Sequence, residues 1–559
     1  MKKYGKLWMS STSFVTTSTV SGSSMSSLTP SPIAEIFNRL SSQNPEMKIP
    51  CKSTKVERPK FLSLYDVNRP ASRTPSPSEE PVVQNINCSK SSYGTSNSGT
   101  QFSEPLAAKE YDPLACFSLY SNGLKLSTPN KNDYNINSID GIKVLTLLWV
   151  IIANACLISE TSPAMNYISI RKFATEWPAL LILNSQLAAD TFIVCTGALL
   201  SFNFLKDMRL RGIYRRESNY LEQAGMSKCF LLKYVPLWYL HRYIRLTPVL
   251  GAIILLQVTL LKHMGSGPFW TAGSNYITNV CSKNWWSTLL YVGNYLNPGD
   301  ICLSHSWYLM VDMQLYILSP LFVLCLLCWN LRRILIVLVT FVLLGNTLCS
   351  LRNLSLDLPA GFINEPDRWL DIMKNDYMST LTRLSSWMIG MFLGYVIYQY
   401  HLRSCPEIPK WFLRAAWIVT PLVFLYPLFG LSVFQQTESP INSIWSAMYN
   451  ASFHCIWAIG ISWIVLACEM KHGGIVRVIL HMKIFRTLSR LTYTMYLIHM
   501  PLMMYRAMTV RFAVPEDQSR GISLFVGDVF LSIVLAILLT LLIEIPMKRL
   551  LRVITMHCN

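Results

Sequence analysis

Charge is scarce in this chain: Asp, Glu, Lys and Arg make up 14% of 559 residues, apolar residues make up 51%, and mean hydropathy is +0.32. That shortage excludes an ordinary soluble domain of this length, in which charged residues run near a quarter. Acidic residues are the rarer sign, 31 against 49 basic, for a net charge of +18. Such an excess can signal a nucleic-acid surface, but Lys and Arg sit mainly between apolar runs, where the positive-inside rule places them. No nucleic-acid partner is expected. Also lacking are a glycine-rich phosphate loop, a nucleophile elbow and a His/Cys cluster at zinc spacing, so neither a metal nor a redox cofactor is expected. No apolar run follows Lys2, Lys3 and Lys6 to act as a signal peptide. Hydropathy shows no convincing internal repeat of the kind that marks secondary transporters.

What is present divides the chain in two. Residues 1–115 are rich in Ser, Thr, Pro and Asn and are too polar to offset chain entropy by burial, so a disordered cytosolic segment is expected. From Gly141 onward come ten apolar stretches near the length of a bilayer-crossing helix: 141–159, 178–204, 240–262, 306–328, 331–351, 379–400, 411–434, 443–468, 484–508 and 521–545. The expected fold class is all-α, a polytopic integral membrane protein of about ten transmembrane helices. The 205–239 loop carries Lys206, Arg209, Arg211, Arg215, Arg216, Lys228 and Lys233 and is expected in the cytosol. Alternating from it, Arg332 and Arg333, the 401–410 and 469–483 loops and the tail with Lys548, Arg549 and Arg552 share that side. Both termini are therefore expected in the cytosol, in the endoplasmic reticulum or plasma membrane. The sequon at Asn353 falls in a lumenal or extracellular loop, where it can accept a glycan, whereas Asn87 does not. Of 15 cysteines, many lie in apolar runs as small hydrophobes, Cys325, Cys328 and Cys468 among them. Cys281 and Cys302 instead flank a polar loop holding Trp285, Trp286 and Asn294, and are placed to bridge if that loop faces an oxidising compartment.

Ionisable groups inside spans are costly and tend to face a bundle interior or a wet cavity. Here they are Lys143, Asp190, Arg242, Arg245, Asp312, Arg383, His499 and Glu544, balanced enough in sign to pair with one another. Each has a plain alternative reading as a neutralised pair that fixes helix packing. As a set they argue for a polar cavity. Trp285, Trp286, Tyr291 and Tyr295 suit the interface opposite the basic loops.

Several phrases carry a resemblance: SIDGIKVLTLLWVIIANA in the first span, DTFIVCTGALLSF at 190–202, HRYIRLTP at 241–248 and NWWSTLLYVGNYL at 284–296. They continue through SWYLMVDMQLYILSP at 306–320, DYMSTLTRLSSWMIGMFLGY at 376–395, SRLTYTMYLIH at 489–499 and EIPMKRL at 544–550. In this order they resemble the nose-resistant-to-fluoxetine branch of the acyltransferase-3 family, over residues 116–559. The resemblance implies acyl transfer from a donor such as acyl-CoA, as co-substrate, to a hydroxyl of a lipid, sterol or sugar. Full-length members of that branch carry a cysteine-containing lumenal module first; residues 1–115 are expected to stand in its place.

The family's catalytic pair is an Arg followed in the first span by a His, and the matching positions hold Lys143 and Asn154. Imidazole takes a hydroxyl proton near neutral pH; an amide does not. Asn154 still donates a hydrogen bond to a developing oxyanion, and Lys143 keeps positive charge without the two-pronged geometry of Arg. His499 in YLIHMP is the candidate substitute base, while His305 is expected to be hydrated at a membrane edge. Asp312 would act as a base if burial raised its pKa, whereas pairing with Arg242 or Arg245 would lower it. By resemblance Arg242, Arg245 and Arg383 are candidates for the donor's phosphates, with Asp190 and Asp312 completing the substrate-binding set. The alternative reading is a degenerate pseudoenzyme that binds or moves lipids or small molecules. Membrane lipids and the acyl donor are the expected partners, and the oligomeric state is not legible.

Overall fold

The computed structural model describes residues 113–128, 136–161, 163–166, 168, 172–173, 176–210, 228–360, 368–402, 408–432 and 443–557. The expected disordered segment therefore lies outside the described residues apart from 113–115, as do Asn87 and the middle of the 205–239 loop. Long apolar stretches become helices in a bilayer because each backbone N–H and C=O must find its partner within the segment. The chain follows that rule: among the described residues the one β pairing is an isolated bridge between Ala164 and Val514.

Twelve helices organise the described residues: α1 (Asn137–Thr161), α2 (Leu187–Leu210), α3 (Lys228–Thr259), α4 (Trp270–Leu289), α5 (Trp307–Cys328) and α6 (Leu331–Ser355), then α7 (Thr380–His401), α8 (Lys410–Phe429), α9 (Ser443–Glu469), α10 (Thr492–Thr509), α11 (Gln518–Leu539) and α12 (Ile545–His557). Eight stretches among the described residues are long and apolar enough to cross a membrane. The other two expected spans exist as α7 and α10, but they carry Arg383, Ser385, Ser386, Thr494 and His499 on buried faces. Their polarity is spent inward. The expected span 484–508 begins late, since Lys483–Leu488 is a separate short helix. The expected polar loop after α3 is largely helix α4, packed along α3.

The described connections gather at two ends of the bundle. At one end the 163–166 segment pairs with 514–516, Tyr505 and Arg511 reach Met264 and Ser266, and Asn450 reaches Pro359. A disulfide joins Cys281 to Cys302 there. At the other, Arg490 donates to the carbonyls of Lys125, Leu126 and Thr128, Asn122 to that of Leu541, Arg549 to that of Ser121, and Ser138 to Glu469. We call these the disulfide end and the basic end. α6 and α8 turn Ile336, Val339, Leu343, Ile418 and Leu422 outward, as lipid-facing helices do.

The most extensive helix pair is α2 with α7, and small residues allow it. A Cβ on Gly197 would sit 2.8 Å from the Trp387 carbonyl oxygen, and one on Gly390 or Gly394 would land on the carbonyls of Val194 or Ala198. Gly390 and Gly394 form the Gly-xxx-Gly spacing that lets membrane helices approach backbone to backbone. Gly394→Val therefore separates α2 from α7 and costs about 1–3 kcal/mol or more. The expected readout is a lower melting temperature and less monodisperse protein in detergent, with Gly521→Val, which meets open space, as the tolerated control.

Candidate active site

α10 contains the run Tyr496-Leu497-Ile498-His499-Met500-Pro501. Pro501 has no N–H, so the Leu497 carbonyl four residues earlier loses its helical donor. His305, in the short turn Ser304–Ser306 ahead of α5, supplies one: its Nε2–H donates to Leu497 O at 3.1 Å. The Tyr496 hydroxyl in turn donates to the His305 carbonyl at 2.5 Å. The missing proton of a proline thus docks one histidine beside another, with ring centroids of His305 and His499 5.3 Å apart.

His499 is fully buried. Its Nδ1 lies 2.6 Å from the Tyr496 carbonyl, which only accepts, so Nδ1 carries the proton. Nε2 then holds a lone pair, and Asn154 Nδ2 on α1 donates to it at 3.1 Å. The imidazole is neutral, in one tautomer, with its basic nitrogen aimed at position 154. The Tyr496 ring lies 5.7 Å from that of His499 and packs in turn against Tyr308 and Phe192, at centroid distances of 5.6 and 6.2 Å.

A second buried centre lies between α2, α7 and α9. Arg383 Nη1 donates to Asp190 Oδ2 at 2.5 Å, His454 Nδ1 approaches the same oxygen at 2.7 Å, and Ser386 Oγ donates to Asp190 Oδ1 at 2.9 Å. Arg383 Nη2 donates to the Tyr377 carbonyl at 3.0 Å. Asp190, Arg383 and His454 are all 0% exposed. Unpaired charge at such depth is too costly to survive, so the pair and its partners hold three helices together.

Cations collect at the basic end. Arg242 pairs with buried Asp312 and lies 4.1 Å above the Tyr316 ring. Arg245, one turn further, is exposed, and Lys143 is half-buried within electrostatic reach of Asp140, Arg245 and Asp312. Neither Lys143 nor Arg245 makes a hydrogen bond or ion pair with a described residue. Lys548 pairs with Glu544, which also accepts from Thr494 Oγ1 at 2.8 Å. At Lys125, partial desolvation and then Arg552, Arg549 and Lys548 push the pKa down. Lys143 stands about 16 Å from Asn154 along α1, at 1.5 Å per residue, so the two residues of the expected pair mark two depths of the bundle.

Three expectations are corrected by burial. His305 is buried and hydrogen-bonded instead of hydrated. Tyr291 is buried, its hydroxyl 3.1 Å from Thr247 Oγ1, whereas Trp285, Trp286 and Tyr295 are exposed. Asn353 is 1% exposed, and Nδ2, the atom a glycan would take, donates to Asp376 Oδ1 at 3.2 Å; the folded position has no room for a sugar. Sequence reading missed His454 in α9 and the pair Arg506–Asp528 between α10 and α11. The rule that singled out the other intramembrane charges would have found both. No group of three metal-ligand side chains occurs among the described residues.

The fold and its polar interior define a polytopic helical membrane protein. Residues 136–545 match the Acyltransferase domain of the acyltransferase-3 family, and the chain belongs to that family. It is 28% identical over 412 residues to Nose resistant to fluoxetine protein 6 of Caenorhabditis elegans, covering 70% of this chain and 48% of that protein. It is 21% identical over 408 residues to Regulator of hypoxia-inducible factor 1 of the same organism, covering 69% of this chain and 74% of that one. The chain thus spans about half the length of the first of these relatives. No solved structure matches.

Proposed function

We propose that the chain transfers an acyl group from acyl-CoA, delivered at the basic end, to a hydroxyl of a lipid, sterol or sugar. The observation that carries this is the neutral His499, whose Nε2 meets Asn154 Nδ2 at 3.1 Å: a base stands beside the position that the resemblance makes catalytic, although position 154 itself is an amide. The acceptor hydroxyl displaces the amide from Nε2, and His499 takes its proton as the oxygen attacks the thioester carbonyl carbon. The freed Asn154 amide donates to the carbonyl oxygen as it gains charge. The C–S bond then breaks, and the leaving thiolate takes the proton back from Nε2, giving ester and free thiol. Lys143 and Arg245 hold the donor's phosphates, since neither makes a hydrogen bond or ion pair with a described residue. On this reading the basic end faces the cytosol, in the endoplasmic reticulum or plasma membrane, with both termini on that side.

The test is transfer of label from acyl-CoA into lipid by membranes containing the chain. Arg245→Ala raises the donor KM by about tenfold, the value of one charge-assisted contact. The informative comparison is the double change Lys143→Arg with Asn154→His. Transfer by the unaltered chain supports His499 as base; transfer only after the double change means the unaltered chain binds without catalysing.

A further inference from the structure

At the disulfide end a cavity of about 50 Å³ opens between α3, α4, α10 and the Cys302–His305 turn. Its wall is apolar and adaptable, with Ile277, Val280, Met378, Met500 and Met504 among the lining residues. No Lys or Arg lines it, and its single charged side chain, Asp300, is negative, so carboxylate or phosphate headgroups are disfavoured. His305 lines the cavity and is 8% exposed. Its Nε2–H is committed to the Leu497 carbonyl, which leaves Nδ1 as an acceptor, and Nδ1 is buried without a partner. A buried polar atom without a partner is rare and costly, and it marks a place where something else completes the bond. The occupant must therefore donate a hydrogen bond from a head set on an apolar body, without negative charge. A protonated amine meets the donor requirement but brings a charge whose burial here has no paired carboxylate at His305's depth.

From this cavity we infer that the chain binds a neutral, hydroxyl-headed apolar molecule at the disulfide end, its O–H donating to His305 Nδ1. The small volume fits the hydroxyl-bearing end alone, with the remainder of the molecule projecting beyond the cavity. The His305 and His499 rings adjoin, 5.3 Å apart, so the hydroxyl that rests on His305 Nδ1 is one step from the proposed base, to which it turns its single proton for transfer. The site deepens the acyl-transfer reading by naming the acceptor class, and rests on that reading only for the claim that the bound alcohol is the acceptor.

The experiment uses the full chain in detergent and a long-chain primary alkanol carrying a mid-chain diazirine. Cross-links are expected in the peptides holding Ile277, Met378 and Met504. Unlabelled alkanol competes at least about fivefold better than the matching alkane, fatty acid or alkylamine, the worth of one neutral hydrogen bond plus avoided desolvation. Met504→Trp fills the cavity that Met504 lines and cuts labelling about tenfold. His305→Phe retains labelling but loses the preference for alkanol over alkane. Variants are compared only where they melt with the unaltered chain, and the competition on the unaltered chain stands without them. Equal competition by the alkane, stronger competition by the amine, or cross-links elsewhere overturns the site. Specific labelling without acyl transfer upholds the alcohol site and counts against the enzyme reading. Transfer that persists unchanged in Met504→Trp, where labelling falls, overturns the claim that the bound alcohol is the acceptor and leaves the enzyme reading intact.

Discussion

His499→Ala is expected to lower acyl transfer by about 10²- to 10⁴-fold, the range that a positioned general base contributes. The expectation rests on geometry. His499 is the imidazole that Asn154 touches, its tautomer set by the Tyr496 carbonyl at 2.6 Å. The loss should fall on kcat, with donor KM unchanged, because the Lys143 and Arg245 end of the bundle is untouched. His499→Gln, which keeps a hydrogen bond to Asn154 but takes no proton, should be as inactive as the alanine variant while melting close to the unaltered chain. If the glutamine variant transfers label at the normal rate, His499 is a packing residue and the base lies elsewhere.

The second large effect is on stability. Arg383→Met strands the Asp190 carboxylate, fully buried between three helices, and removing one member of a buried pair costs about 3–5 kcal/mol. A steep fall in melting temperature in detergent is the expected result. Adding Asp190→Asn to Arg383→Met should restore part of the loss, since the stranded charge goes with it; simple additivity would mean that the two residues do not act as a pair. A variant at Arg383 that melts normally but binds acyl-CoA tenfold more weakly would return this residue to the ligand-contact role that its sequence motif implies.

The two outcomes show where sequence was informative. Helix positions followed from apolar length. The errors have a common cause. Hydropathy reads how polar a segment is, not where the polarity points, so α4 looked like a loop, and the inward-facing polar residues of α7 and α10 could not be told from surface ones. Asn353 and Tyr291 failed for the same reason, since a motif or a residue type carries no information about burial. The partner of Arg383 was not legible because Asp190 lies 193 positions away and His454 another 71 beyond Arg383; only the folded bundle brings them together. Asn154, His305 and His499 were each named from sequence, but their meeting depends on the register of α1, α10 and the turn before α5.

Pro501 lines the proposed alcohol cavity but makes no hydrogen bond to base or alcohol, yet both histidines take their bearings from the stretch of α10 just ahead of it. In a complete substitution scan this position should therefore be intolerant even to alanine, the residue most favourable to a helix. Pro501→Ala would strengthen α10 and repair its backbone ladder, and by giving Leu497 its ordinary donor it would release His305. The variant should melt higher and work worse, a stabilising change that is harmful because the atom it supplies is one the active bundle requires to be absent.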